Sequence, residues 1–312
     1  MSNNNGIFKS INRFRLRMLR KMTFLPQKQY LHYSYEYNTK KALNLDNPIE
    51  FNEKIQWYKI FYHPKILTQL VDKYAVRAYV EAKIGSQYLN ELFGVYDSPE
   101  EINYDQLPEK FIIKATHASS YNLIIRDKNK IDKAEISKLF GKWLAKCQYK
   151  RTGQEWAYKN VPHRLIAEKL LKDEGGISLI DYKFYCFNGE AKFLEVHLDR
   201  EQDHKRGFYD LNFKPLPFRY VKLEKSITSK INKPSNLDEM KRLSEVLAAK
   251  FPYVRVDFYS IEGKAIFGEM TFYPSDGRKD FIPDEYNKII GDYITLPKLK
   301  KGQKEITNLE WL

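Results

Sequence analysis

The run VRVDFYSIEGKAIFGEMTFYPSDG carries Arg255-Val-Asp257 and, twelve positions after the aspartate, Glu269-Met-Thr271. It reads as two strands joined by the turn residues Glu262-Gly263. Asp257 and Glu269 then fall on opposite arms, at a separation expected to bring both carboxylates to one face. Two like charges side by side are unfavourable unless a cation neutralises them. A hard ion such as Mg²⁺, held by one or two carboxylates and completed by phosphate oxygens, meets that need. The chemistry expected here is that of a nucleotide site.

The rest of the chain must position that pair. Its 312 residues allow one large domain or two moderate ones, and 43% hydrophobic content, with 23 tyrosines and 19 phenylalanines, supplies a core. From Phe51 to about Lys83 the pattern is helical, with Asn52 as N-cap and Gly85 closing the run. LFGVY (92–96) and FIIKATHASSYNLIIRD (111–127) predict strands, the second as two apolar arms around a small polar centre. Residues 131–147 return to helical spacing through Ile136, Leu139, Phe140, Trp143 and Leu144. Further strands follow in HRLIAEKLL, in IDYKFYCFNGEAKFLEVHLD with its Asn188-Gly189 turn, and in RGFYDLNF. Helices are expected over 236–250 and, after Pro283, over 284–293. Strands and helices interleave without strict alternation, which predicts an α+β architecture rather than a doubly wound parallel sheet.

Charge and cysteine usage narrow the function classes. No run of eighteen apolar residues occurs, so no spanning helix is expected. Cys147 and Cys186 alone exclude a disulfide framework or a cysteine zinc site, and a cytoplasmic location is expected. The net charge is +13, unevenly placed: residues 1–30 hold Lys9, Arg13, Arg15, Arg17, Arg20, Lys21 and Lys28 and no acid. Within them Ile7, Ile11, Phe14, Met18 and Met22 recur at helical spacing. A basic amphipathic helix of this kind can lie peripherally on an anionic membrane through residues 1–25. The same pattern fits a helix packed on the body with its basic face in water. Nucleic acid is not an expected partner, because charge alone points to it and no motif does.

Taken in order, LVDKYAVRAYV, LPEKFIIKATHASSYNLIIRDK, HRLIAEKLL, DYKFYCFNGEAKF, HKRGFYDLNF and the Asp257–Glu269 hairpin resemble the ATP-grasp superfamily, most closely its TupA-like branch from cell-surface polysaccharide gene clusters. The resemblance implies an α+β ATP-grasp fold, two α+β lobes clasping ATP, with a helical N-terminal extension. The divisions implied are a basic segment 1–50, a helical region 51–104, a first lobe 105–162, a second lobe with the metal site 163–297, and a tail 298–312. Lys114 matches a lysine on the α/β-phosphates, and Lys183 a second phosphate-contacting cation with Asp181 two residues before it. The loop 115–122 matches a phosphate-covering loop but contains no glycine, so His117, Ser119, Ser120 and Asn122 are expected to donate instead. The stretch 165–171 looks like the hinge that reads adenine, with Glu168 near its amino group and Lys169 and Leu171 alongside. Lys214 has a looser phosphate-lysine counterpart. His204, Lys205 and Arg206, in an expected turn, are candidates for γ-phosphate or an anionic substrate, with Ser275 a further substrate contact. Asp257 and Glu269 match Mg²⁺ ligands. Thr271 stands where many relatives have asparagine, and Arg255 matches an arginine that steadies an acyl phosphate.

The implied reaction is ATP- and Mg²⁺-dependent carboxylate–amine ligation, ADP-forming, with Arg255, Lys183 and Lys114 as catalytic cations. The family context implies an amide between an amino acid or amine and a uronic-acid or acidic component of a capsular or lipid-linked polysaccharide. The alternative is a glycosyltransferase using a sugar nucleotide, a label common in this branch. Against it, no Asp-x-Asp motif occurs in the sequence. An inactive nucleotide-binding scaffold is a third reading, kept open by the glycine-free loop.

Overall fold

In a computed structural model, residues 3–171, 179–199, 203–221 and 225–309 are described, with side chains from residue 11 onward. The chain opens with helices α1 (Asn3–Leu19), α2 (Gln27–Thr39), α3 (Phe51–Phe61), α4 (Ile66–Val71) and α5 (Val76–Ile84). Strands β1 (Leu92–Tyr96), β2 (Phe111–Ala115) and β3 (Asn122–Ile125) follow, then α6 (Lys133–Leu144), α7 (Gln148–Arg151) and β4 (Leu165–Lys169). The second half holds β5 (Asp181–Phe187), β6 (Glu190–Leu198), β7 (Lys205–Tyr209), β8 (Arg219–Tyr220), β9 (Lys225–Ser226), α8 (Leu237–Ala248), β10 (Tyr253–Ile261), β11 (Lys264–Thr271), β12 (Phe281–Ile282) and α9 (Glu285–Asp292).

These strands build a four-stranded sheet, β1-β4-β2-β3, and a six-stranded sheet, β11-β10-β5-β6-β7-β9. The smaller sheet and α6 enclose one core around Phe111, Ile113, Phe140 and Leu165. It takes β1 from before residue 105 and β4 from beyond 162, so it draws on both sides of the segment expected to form the first lobe. The larger sheet packs its apolar face on α8: Val254, Val256 and Phe258 of β10 are fully buried, as are Met240 and Leu247 of the helix. Alternation in VRVDF therefore turns Arg255 and Asp257 to the opposite face, which is how one strand serves core and site together. Both expected hairpins close on two residues with positive φ, Asn188-Gly189 (50° and 87°) and Glu262-Gly263 (51° and 75°), the backbone that matches strand twist.

Two expectations are corrected. The helical run from Phe51 is three helices, because Pro64 supplies no N–H, Tyr62 bridges to Ile306, and the Asp72 carboxylate accepts from the Tyr74 and Ala75 amides before α5 begins. The N-cap of α3 is Glu50, in a reciprocal capping box with Glu53. Asn52 lies inside the helix, buried, and donates to the Lys279 carbonyl and to Asp280. Gly85 does end α5, with φ 105°.

Candidate nucleotide site

A cleft of about 450 Å³ lies between the two sheets. From the smaller sheet and the turn after β2 it takes Lys114, Ser119, Ser120, Asn122, Glu168, Lys169 and Leu171; from the larger sheet it takes Asp181, Lys183, Asp257 and Glu269. Sequence-predicted residues from both sides thus meet in one place.

The acidic wall depends on a bulge. Below the Glu262-Gly263 turn the partners run Ile261↔Lys264 to Phe258↔Phe267, and then Asp257 pairs with Glu269 rather than Gly268. The inserted residue is Gly268, whose added Cβ would sit 3.1 Å from the Asp257 carbonyl. Were the same residues paired in plain register, with no bulge, Asp257 would face Gly268 and Glu269 would point to the other side of the sheet. The expectation that both carboxylates share a face is met, but through the bulge and not through spacing alone.

Cations are threaded between these acids. Arg255 donates through Nε and Nη2 to the two Asp257 oxygens at 2.7 Å each, and through Nη2 to Glu269 at 3.0 Å and to the Thr271 hydroxyl at 3.2 Å. Arg255 and Thr271 form the next same-face pair along β10 and β11, just outside the lining of the cleft. Lys183, almost fully buried, is hydrogen-bonded to Asp257 and lies 3.4 Å from Asp181. Burial pushes the Asp257 carboxyl upward, Arg255 and Lys183 pull it down, and Glu269 adds repulsion, leaving it above its ordinary value.

On the opposite wall Lys114 pairs with Glu168 at 2.7 Å, and Arg77 of α5 reaches the same carboxylate at 3.3 Å while bonding the Asn90 carbonyl at 2.8 Å. Lys73 adds a third cation to this side. It lines the cleft, donates to the Ala118 carbonyl at 2.5 Å, and has its ammonium lowered by burial against the favourable field of Glu269. Lys73 and Arg77 were not singled out from sequence. They come from the segment expected to be helical, and the sequence singled it out only as the block LVDKYAVRAYV within the ordered resemblance. The glycine-free turn is made by Ser120, at φ 65°, and α7 holds it: Gln148 donates to the Ser119 hydroxyl at 3.1 Å and Arg151 to the Ser119 carbonyl at 3.1 Å.

Other sequence-predicted residues lie elsewhere. His117 is fully buried, stacked on His163 at 3.8 Å between centroids and bonded to the Lys146 carbonyl; burial and His163 lower it to about 4. It is placed to brace the turn, and it does not line the cleft. Lys214 is exposed beyond β7, its amide bonded to Asp210. Lys205 and Arg206 are in β7 itself, not in a turn; Lys205 lies 3.1 Å from Asp203, and Arg206 lies 3.1 Å from the buried Glu195. His204 is 3.2 Å from His197. Arg206 and Glu195 line a second cavity of about 320 Å³, walled by Phe208, Phe218, Tyr220 and Pro283. Ser275 lies in the 3₁₀ segment Pro274–Gly277, outside both cavities.

Among the described residues no cluster of three or more His, Cys, Asp or Glu could hold a metal ion. Two carboxylates and a hydroxyl facing cations are the donor set for a hard ion whose remaining ligands are phosphate oxygens, and Asp257, Glu269 and Thr271 fit Mg²⁺ in kind.

Two sheets closing on a cleft with lysines from both and a carboxylate pair on one hairpin define the ATP-grasp class. The TupA-like ATP-grasp family profile matches residues 53–295, and the chain belongs to that family. Among solved structures it is similar to D-alanine–D-alanine ligase from Bacillus anthracis, at 16% identity over 78% of this chain and 72% of that one, TM-score 0.43. The Helicobacter pylori ligase gives 13% identity over 78% and 68%, TM-score 0.41. The Bacillus anthracis ligase complexed with ATP gives 14% over 66% of this chain and 55% of its own length, TM-score 0.38. At such values these likenesses carry no argument about chemistry, and the assignment rests on the family match. No functionally curated protein matches the chain significantly.

Proposed function

We propose that the protein is an ATP- and Mg²⁺-dependent, ADP-forming carboxylate–amine ligase, joining an amino acid or amine to a uronic-acid or other acidic component of a cell-surface polysaccharide. The observation that carries this reading is the convergence of Lys73, Lys114 and Lys183 with the Asp257–Glu269 pair in one cleft. Three cations suit the charge of a triphosphate, and the acids opposite them suit its metal. Asp257, Glu269 and Thr271 would hold Mg²⁺, which supplies neutralisation of charge between the β- and γ-phosphates. A substrate carboxylate oxygen attacks the γ-phosphorus as the bond to ADP breaks. The amine nitrogen then attacks the acyl carbon as the C–O bond to phosphate breaks, losing a proton to solvent or a base and releasing inorganic phosphate. Lys114 and Lys183 position the phosphates, and Arg255, fixed by four hydrogen bonds to Asp257, Glu269 and Thr271, holds its positive charge beside the carboxylates that would bind the ion. The aromatic cavity holding Arg206 lies on the same sheet and offers room for the acidic acceptor.

Ligand-dependent melting tests this, because a ligand bound only by the folded state raises the melting temperature with its concentration. The shift is expected with ATP·Mg²⁺, is expected to vanish in Glu269→Gln, and should lead to phosphate release once acid and amine are supplied. A shift only with UDP-sugars and Mn²⁺ would replace the ligase reading with glycosyl transfer.

A further inference from the structure

Helix α1 carries an apolar stripe turned away from the protein. Ile11, Phe14 and Met18 are 59%, 66% and 47% exposed, whereas Leu16 is 4% exposed. At about 100° per residue, Leu16 stands roughly 165° round the helix from the mean direction of the other three. The helix is thus docked by one edge and offers the opposite edge to its surroundings. Docking is secured by Asn12, which donates to Glu36 of α2 at 3.2 Å, and by Arg20, whose guanidinium covers the Tyr37 ring at 4.1 Å. Beyond the helix, Gln154 donates to the Thr23 carbonyl at 3.1 Å and Gln27 to the Lys59 and Gln154 carbonyls. Phe24, between these anchors, is 82% exposed.

Charge frames the stripe. Arg15 and Arg17 fall roughly 70° and 90° to either side of it. Arg13, Arg15, Arg17 and Lys21 are all exposed, and the sequence holds no acidic residue before Glu36. Three large apolar side chains aimed outward between arginines are poorly matched to water and well matched to a surface with an apolar interior and negative headgroups. We infer that α1 is an interfacial docking helix, and that its partner is the surface of an anionic lipid bilayer. Ile11, Phe14 and Met18 enter the acyl boundary, while Arg15 and Arg17 remain at the headgroups. Because the helix is already folded on α2, binding needs no ordering of a free segment. Among the described residues no helix is long and apolar enough to cross a membrane, so the contact is one of lying on the surface.

The test is co-sedimentation of the full chain with vesicles of phosphatidylcholine alone and with phosphatidylglycerol added. Two variants accompany it, Ile11→Ser/Phe14→Ser/Met18→Ser and Arg15→Gln/Arg17→Gln, whose targets are exposed, so circular dichroism and melting should match wild type. Wild type is expected to sediment with the anionic vesicles and to do so less at high salt. The triple variant should lose sedimentation. The double variant should weaken it about fivefold per arginine, the factor that ~1 kcal/mol per surface cation gives. Wild type failing to sediment overturns the inference, as does a triple variant that sediments unchanged. A dimer in sedimentation equilibrium that the triple variant abolishes would instead make the stripe a self-association face.

Discussion

Two knots of buried charge in this molecule contrast: one is sealed, and the other opens on the nucleotide cleft. In the first, where α3 meets the 3₁₀ segment Pro274–Gly277, Lys59 pairs with Asp276 and donates to the Asp276 carbonyl at 2.8 Å and to Gln56 at 3.1 Å. Arg278 pairs with the other oxygen of the same carboxylate, which also accepts from the Gly153 amide at 3.0 Å. The side chains of Lys59 and Asp276 are 0% and 10% exposed. In the second knot Lys114 and Glu269 keep 23% and 40% of their side chains exposed, although their partners Glu168 and Arg255 keep only 8% and 12%. Density of charge and satisfaction of hydrogen bonds are alike in both. What separates a site from a fastening is that some members of the network can exchange their partners for a ligand.

Breaking the sealed knot gives the largest expected effect. Lys59→Met leaves Asp276 short of a buried partner, at a cost of about 3–5 kcal/mol, and the melting temperature is expected to drop by roughly 6–12 °C. Scanning calorimetry checks this, and an unchanged transition would erase the distinction between the two regions. Lys114→Met strikes the open knot instead. Glu168 keeps Arg77, so the melting temperature should fall by less than half as much, while ATP binding by calorimetry weakens about 10- to 100-fold, the usual worth of one charge-assisted contact. The smallest effect sharpens the comparison through pH. Burial outweighs the pull of Lys59 and Arg278 and lifts the Glu155 carboxyl from 4.5 to about 7. The unfolded chain releases that proton near its ordinary value while the folded chain keeps it, so the folded state binds more protons between about pH 4.5 and about pH 7. The contribution of Glu155 to stability therefore declines as pH rises through that window, while His117 and His197, both lowered to about 4, contribute in the opposite sense. Glu155→Gln, neutral in both states, removes the first contribution, so the urea midpoint of the variant is expected to gain on wild type as pH rises across the window.

Much of the frame was legible because local chemistry decides it. Asn188-Gly189 and Glu262-Gly263 declare hairpins by their need for positive φ, and the alternation Val254-Arg255-Val256-Asp257-Phe258 separates core from cleft on a single strand. The cations were legible only where they stood on strands. Lys114 and Lys183 could be read, whereas Lys73 reaches the cleft, and Arg77 its lining residue Glu168, because α4 and α5 pack where they do, and no periodicity states that. His117 misled in the opposite way: a histidine among serines reads as a donor to phosphate, yet its ring is taken inward by His163. The breaks at Pro64 and Asp72 were written in the sequence but were outweighed by the apolar spacing around them.

One inserted glycine also sets a rule of arithmetic. Across a two-residue turn, residues that face each other in a plain hairpin differ by an odd number of positions, as Ile261 and Lys264 do. Asp257 and Glu269 differ by an even number, and such a pair can meet only if one extra residue lies between. Parity alone therefore announces the bulge. In a relative whose two acids are spaced an odd number apart, the hairpin should be plain. A one-residue deletion at Gly268 is such a case: it would leave Glu269 opposite Asp257 at an odd spacing in a plain hairpin, and what it would remove is the local bend and added twist that the bulge gives the β11 arm beside the cleft.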